Sequence, residues 1–92
     1  MNIIVLETEK RLSKETLDKI ALEVKRFKEN GASLLVLDEN TSVHLADSEK
    51  VSVIQAQKKL TDERIAELRE RYNEALTKGY VVLDDGITLQ QL

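Results

Sequence analysis

Two pairs of acidic residues have the spacing to do metal chemistry. Asp38-Glu39 and Asp84-Asp85 each follow an apolar run that reads as a strand. Four carboxylates at one edge of a sheet could hold a hard cation such as Mg²⁺ and process a phosphoester. Acidic residues after a strand are also ordinary turn residues, and no EF-hand spacing is present. The pattern therefore favours turns, with a metal site as the alternative.

Basic and hydroxyl residues stand together just before each predicted helix. Free backbone N–H groups and the macrodipole attract anions at the start of a helix. Basic residues gain nothing from that dipole, so their recurrence raises a phosphate, another small anion or an acidic partner as an alternative to ordinary loop residues. No glycine-rich phosphate loop accompanies them, and a solvated charged loop is the competing interpretation. The candidate anion-binding residues are Lys10, Arg11, Ser13, Lys58, Lys59 and Thr61.

Other catalytic chemistry is poorly supported. The chain has no cysteine and one histidine, which excludes a thiolate nucleophile and any site needing two histidines from one chain. His44 lies between Val43 and Leu45 on an alternating segment, so its side chain should face away from them, toward solvent. No nucleophile, base and orienting residue converge in the pattern, and we expect neither an enzyme nor a bound cofactor.

Composition narrows the classes of partner. The 92 residues carry 14 basic and 17 acidic side chains, a net charge of −3, which does not supply the basic surface of a nucleic-acid-binding protein. No apolar run exceeds four residues, which predicts no membrane span. The 41% apolar content is that of a folded domain.

An internal repeat organises the positions of these residues. A shift of 48 positions places the segment 51–54 on Ile3–Leu6, the second basic pair on the first, and Gly79 on Gly31. After the glycines, a shift of 46 aligns Val82-Leu83-Asp84 with Val36-Leu37-Asp38. We therefore predict a single domain built of two repeats, 1–46 and 47–92.

Each repeat reads as strand, helix, strand, strand. Ser13 and Thr61 are N-caps, Gly31 and Gly79 end the helices, and apolar residues recur at helical spacing between them. The helical crossover should make the first two strands of each repeat parallel, and Asp85-Gly86 predicts a tight hairpin. The fold class is α/β (α+β), with two helices and about six strands in a mixed sheet. The predicted strands are Asn2–Leu6, Ser33–Leu37, Ser42–Ala46, 51–54, Tyr80–Leu83 and Ile87–Gln91.

The apolar strands outnumber the helices available to cover them. Two helices cover one face of a six-stranded sheet, which leaves the second face of strands such as Ile3–Leu6 bare. Either the repeats form facing layers within one chain, or a second chain covers that face. A domain with three aromatic residues buries little by itself, which favours a homodimer or a larger homo-oligomer.

The first repeat also resembles a group of small phage- and prophage-encoded proteins of unassigned function. The resemblance rests on Ile3-Ile4-Val5-Leu6, on Arg11-Leu12-Ser13-Lys14-Glu15 and on Leu34-Leu35-Val36-Leu37-Asp38. It covers about half of the chain, and the second repeat departs from it at Lys59 and Thr61. It implies a bacterial or phage source and hence the cytoplasm of a bacterial cell, and it brings no catalytic residue.

These patterns predict a non-enzymatic interaction protein. It would be a small oligomeric accessory factor that inhibits a host protein or sequesters a small anionic ligand. The alternatives are a metal-dependent phosphoester-processing enzyme that uses the strand-end acids, and a structural component of a virion.

Overall fold

The computed structural model describes residues 1–29, 31, 37, 40–50 and 52–92. They form an α+β fold, as predicted, and neither described helix is both long and apolar enough to cross a membrane. The elements are β1 (Asn2–Glu7), α1 (Lys14–Glu29), β2 (Ser42–Asp47), β3 (Ser52–Ala56), α2 (Asp62–Lys78), β4 (Tyr80–Leu83) and β5 (Ile87–Gln91).

Local signals set the starts of both helices and the end of α2. The Ser13 hydroxyl accepts the N–H of Thr16 at 3.2 Å, and the Thr61 hydroxyl accepts the N–H of Arg64 at 3.2 Å. Each bond satisfies one of the free donors of a first turn. At the other end of α2, Gly79 has φ 82° and donates its N–H to Ala75 O at 2.8 Å. The predicted caps Ser13, Thr61 and Gly79 are confirmed.

β1 is the centre of a mixed three-stranded sheet with the order β2-β1-β4. It runs antiparallel to β2, with Leu6 opposite Val43, and parallel to β4, with Leu6 opposite Val82. β1 and β4 are the strands with apolar residues at consecutive positions. Pairing them in parallel inside the fold buries both of their faces.

The strand pairing of the second repeat differs from the prediction. β3 and β4 were expected to be parallel neighbours, but β3 pairs antiparallel with β5 in a separate two-stranded sheet. β4 pairs with β1 because Val81, Val82 and Leu83 are all buried in that position. In β3, half-buried and exposed residues alternate, so this strand needs to be covered on one face only.

The predicted turn at Asp85-Gly86 forms without a hairpin. Asp85 and Gly86 have φ 61° and 73°, and Ile87 N–H donates to Asp84 O at 3.2 Å, the geometry of a tight turn with two left-handed residues. The flanking strands β4 and β5 then separate into different sheets. Asp85 and Gly86 reverse the direction of the chain, but the burial of β4 against β1 determines which strands pair.

Two apolar clusters cover opposite faces of β1. Leu6 faces Ile20 and Val24 of α1, whereas Ile3 and Val5 face α2 and the β3–β5 sheet. Ile3 and Leu6 are 1% and 0% exposed, so a single chain encloses both faces of this strand. Of the two arrangements that the sequence left open, facing layers within one chain is the one found, because α2 and the second sheet cover this face of β1.

One predicted strand lies almost entirely outside the described residues. Of Ser33–Leu37, only Leu37 is described; it belongs to no strand and is half-buried against the α1 cluster. Position 51, the first residue of the predicted segment 51–54, also lies outside. Five strands are found within the described residues, against about six predicted.

The first and last strands of each predicted repeat pair in an equivalent register. Leu6 lies opposite Val43 in the first repeat, and Ile54 lies opposite Leu89 in the second. Ile54 follows Leu6 by 48 positions and Leu89 follows Val43 by 46, the two shifts that align the sequence.

Candidate functional site

The starts of both helices meet beside the turn that follows β4. Because β1 and β4 are parallel, their carboxyl ends reach the same edge of the sheet. Thr8 continues the pairing beyond β1: its N–H donates to Leu83 O at 2.9 Å, and its carbonyl accepts Gly86 N–H at 3.2 Å. The Asp84-Asp85 pair, which follows β4, therefore lies at the same edge as the two helix starts.

Asp84 joins the two helix starts from inside the protein. Its side chain is fully buried, and Oδ2 accepts the backbone N–H of Leu12, just before α1, at 3.2 Å. Oδ1 forms an ion pair with Arg64 in the first turn of α2 and lies 3.4 Å from Arg71 Nη1. Both carboxylate oxygens are thus engaged by groups of the protein itself.

Glu67 extends this arrangement to the surface. Its Oε2 lies 2.9 Å from Arg64 Nη1 and 3.5 Å from Arg11 Nη2, and its Oε1 lies 2.8 Å from Arg71 Nη2. Burial alone would raise the pKa of Glu67, but close pairing with Arg64 and the charges of Arg71 and Arg11 outweigh burial and lower it. We call Arg11, Arg64, Glu67, Arg71 and Asp84 the charged cluster.

Two of the predicted anion-binding cations are held by carboxylates. Arg11 pairs with Glu67, and Lys58 Nζ lies 2.7 Å from Asp85 Oδ2. The hydrogen bond from Lys58 lowers the pKa of Asp85, and the charge of Arg11 acts in the same direction. Lys59 is exposed to solvent. The fold brings the two basic pairs close to the turn that follows β4. Glu67 already faces Arg11 there, and Asp85 already faces Lys58.

The two predicted hydroxyl residues bind backbone N–H groups at the starts of their own helices. Ser13 and Thr61 accept N–H groups of their own helices, as described above, and Ser13 Oγ also lies 3.0 Å from Thr16 Oγ1. The backbone N–H of Lys10 donates to Thr8 Oγ1 at 3.5 Å. These contacts give both hydroxyls a role in starting a helix.

The acidic pairs do not come together as a metal site within the described residues. Asp38 and Glu39 lie outside those residues, Asp84 is enclosed by arginines and Asp85 pairs with Lys58. In the part of the chain that is described, no three acidic or histidine side chains are grouped so that they could hold an ion.

His44 lies at the surface, as predicted, and has a partner. Its Nε2 is 2.7 Å from Glu7 Oε1, and the same oxygen lies 3.4 Å from the N–H of Leu89. Glu7 therefore links β2 to the edge of β5. This contact connects the two sheets and leaves His44 with a structural role.

An open apolar groove of about 630 Å³ lies between β3 and α2. Its apolar walls come mainly from one face of α2 and from Ile54. Tyr72 OH donates to Ser52 Oγ at 3.0 Å across the groove, which ties the helix to the strand and fixes the spacing of the walls. We call this feature the open groove. Its lining residues are Ser52, Val53, Ile54, Leu60, Ile65, Leu68, Arg69, Tyr72 and Asn73.

Sequence reasoning singled out Arg11 but missed Arg64 and Arg71, the two arginines that α2 contributes to the charged cluster. A signal was present at Arg64. This residue shares the helical stripe of Leu68 and Ala75, and all three are buried. An arginine on an apolar stripe indicates a buried acidic partner, and the structure shows that this partner is Asp84.

Comparison with known proteins adds no assignment. No protein-family model, curated protein or solved structure matches the chain.

Proposed function

We propose that this chain is a non-enzymatic interaction protein, a small phage-encoded accessory factor that binds a host protein in the bacterial cytoplasm. The observation that carries the proposal is the open groove. Apolar side chains gathered in a surface depression of this size are typical of binding sites. The groove is accessible, whereas the polar residues able to do chemistry are mostly engaged with one another.

The engagement of the charged side chains favours protein binding over sequestration of an anion. An incoming phosphate would have to displace Glu67 from Arg11 or Asp85 from Lys58. It would also face the carboxylates that already neutralise these cations. Binding in the open groove displaces no ion pair and removes apolar surface from water.

We further propose that the chain arose from two copies of one unit and that it self-associates. The equivalent register of the two antiparallel strand pairs supports the duplication. Val43 and Leu45 of β2, which are 47% and 65% exposed on the same face of their strand, support self-association.

Native mass spectrometry of the protein purified from its host tests the proposal. We expect a bound host protein, and we expect Ile65→Lys in the open groove to remove it while Leu22→Lys, on an exposed position of α1, retains it. A retained nucleotide or phosphate with no protein partner would contradict protein binding. A large closed assembly would favour the virion component instead.

A further inference from the structure

The strand β2 has an outer edge, which faces away from β1. The N–H of Ile4 donates to Gly79 O at 2.9 Å, so Ile4 points its peptide groups toward β4. Leu45 lies opposite Ile4 in the antiparallel pair of β1 and β2. In such a pair, opposite residues alternate between bonding one another and pointing apart. Leu45 and, two positions before it, Val43 therefore direct their N–H and C=O groups outward, away from β1.

Side chains of the protein close the outward backbone groups at other positions. Near the end of β2, Gln91 Oε1 accepts the N–H of Asp47 at 3.0 Å, and the Gln91 amide donates to Asp47 O. On β4, the carbonyl of Val82 points away from β1 and accepts Arg71 Nη1 at 3.3 Å. Contacts of this kind prevent a strand edge from pairing with another chain.

The middle of β2 lacks this protection. Within the described residues, no strand or side chain bonds the outward groups of Val43 and Leu45. β5, which follows β2 by 46 positions, likewise pairs with a single strand. The segment Ser42–Ala46 contains no Lys, Arg, Asp or Glu. Charged side chains are a usual means of keeping strand edges apart, so nothing in this segment repels a second strand.

The same segment is complementary to a second copy of itself. When two β2 strands run antiparallel about a two-fold axis at His44, Val43 of each copy lies opposite Leu45 of the other. Each such pair can exchange both of its N–H···O bonds, because the groups already point outward. The exposed Val43 and Leu45 side chains then cover one another across the axis. A shift that centres the axis on Leu45 would require Asp47, whose backbone groups are bonded to Gln91.

We propose that two copies of the chain form a two-fold dimer in which β2 pairs antiparallel with β2, at the register that places His44 opposite His44. The two three-stranded sheets then join into one continuous sheet. This inference deepens the self-association proposed above and rests on it, because it names the surface and the register. The paired segment is short, so the dimer should dissociate on dilution. It uses a surface separate from the open groove, which no residue of β2 lines.

Sedimentation velocity of the full chain over a range of concentrations tests the surface. We expect dimers to form as the concentration rises. Val43→Lys and Leu45→Lys should each weaken dimerisation at least about tenfold, because each brings a lysine of both copies to the axis. Both side chains are exposed in one chain, so the variants should keep the fold, which circular dichroism checks. Leu22→Lys, at a side chain 50% exposed on α1, is the matched control and should dimerise like the parent.

Disulfide formation tests the register. The chain has no cysteine, so His44→Cys introduces one thiol per copy. At the axis the two residues form a non-hydrogen-bonded pair, whose closely spaced Cβ atoms suit a disulfide. Air oxidation should therefore link His44→Cys copies much faster than Val43→Cys copies, which are offset along the two strands. His44 lies on the opposite face of β2 from Val43, so faster linking through Val43→Cys would indicate packing of the apolar faces and overturn the edge pairing.

The outcomes separate this inference from the proposed function. If the chain dimerises unchanged by Val43→Lys and Leu45→Lys but is dissociated by Val53→Lys in the open groove, self-association stands and the β2 interface fails. A chain that stays monomeric at every concentration overturns both. Loss of a host protein on Ile65→Lys would still support binding in the open groove in either case.

Discussion

Removing the carboxylate of Asp84 should be the most damaging polar substitution in the described part of the chain. Asp84 is 0% exposed and its partner Arg64 is 6% exposed. Asp84→Ala leaves a buried guanidinium with Glu67 alone and removes the acceptor of Leu12 N–H. Breaking a buried ion pair from one side costs about 3–5 kcal/mol. Domains of this size are stabilised by about 5–15 kcal/mol in total.

Thermal unfolding measures the effect. Each kcal/mol corresponds to about 4–8 °C in a domain of this length, so a loss of about 3–5 kcal/mol in Asp84→Ala should lower Tm by about 12–40 °C. Asp85→Asn is the matched control. It tolerates the left-handed backbone, with φ 61° at Asp85, and removes only the exposed pair with Lys58, so its Tm should stay near that of the parent.

A double-substitution cycle separates the ion pair from packing. Arg64→Met removes the buried charge and keeps an apolar stem. Combined with Asp84→Ala it should therefore be less destabilising than the sum of the single changes. Additive effects, or an Asp84→Ala protein as stable as Asp85→Asn, would refute the assignment of Asp84 as the link between the helix starts.

Four further substitutions test other parts of the structure. Thr61→Ala removes the acceptor of Arg64 N–H and should cost about 1 kcal/mol in urea unfolding, with Thr61→Ser close to the parent. Glu67→Gln should lower stability at neutral pH, and the difference from the parent should shrink as pH falls below about 4.5 toward the lowered pKa of Glu67; a pH-independent difference would contradict the pairing. Gly79→Ala forces an alanine to φ 82° and displaces Lys28, and should cost about 1 kcal/mol by the same measurement. Leu68→Asp buries an unpaired carboxylate at a side chain 2% exposed and should abolish cooperative melting; a cooperative transition would place Leu68 outside the core.

The helices were predictable from the sequence because their signals are local. Ser13 and Thr61 lie immediately before the first helical turns, and Gly79 follows the last turn of α2. The strand segments were also recognisable from their β-branched and apolar composition. Their pairing was not, because β4 could bury both faces against β1 of the other repeat, and no signal close to β4 in the sequence distinguishes that partner from β3.

The position of the candidate site could be predicted from the sequence, but the pairing of its charged side chains could not. The strand ends and helix starts converge as expected from parallel strands. The charges there neutralise one another because Arg64 and Arg71 of α2 reach Asp84, which follows β4. The open groove escaped notice because it arises from the separation of β3 and β4, which only the strand pairing reveals.

The partnership of β1 with β4 also sets an order of events during synthesis. β1 is made first, yet the strand that shields one of its edges follows it by more than seventy residues. An early folded unit made of the first repeat alone would leave Leu6 without Val82. The three-stranded sheet can therefore be completed only after α2 and β4 have been synthesised.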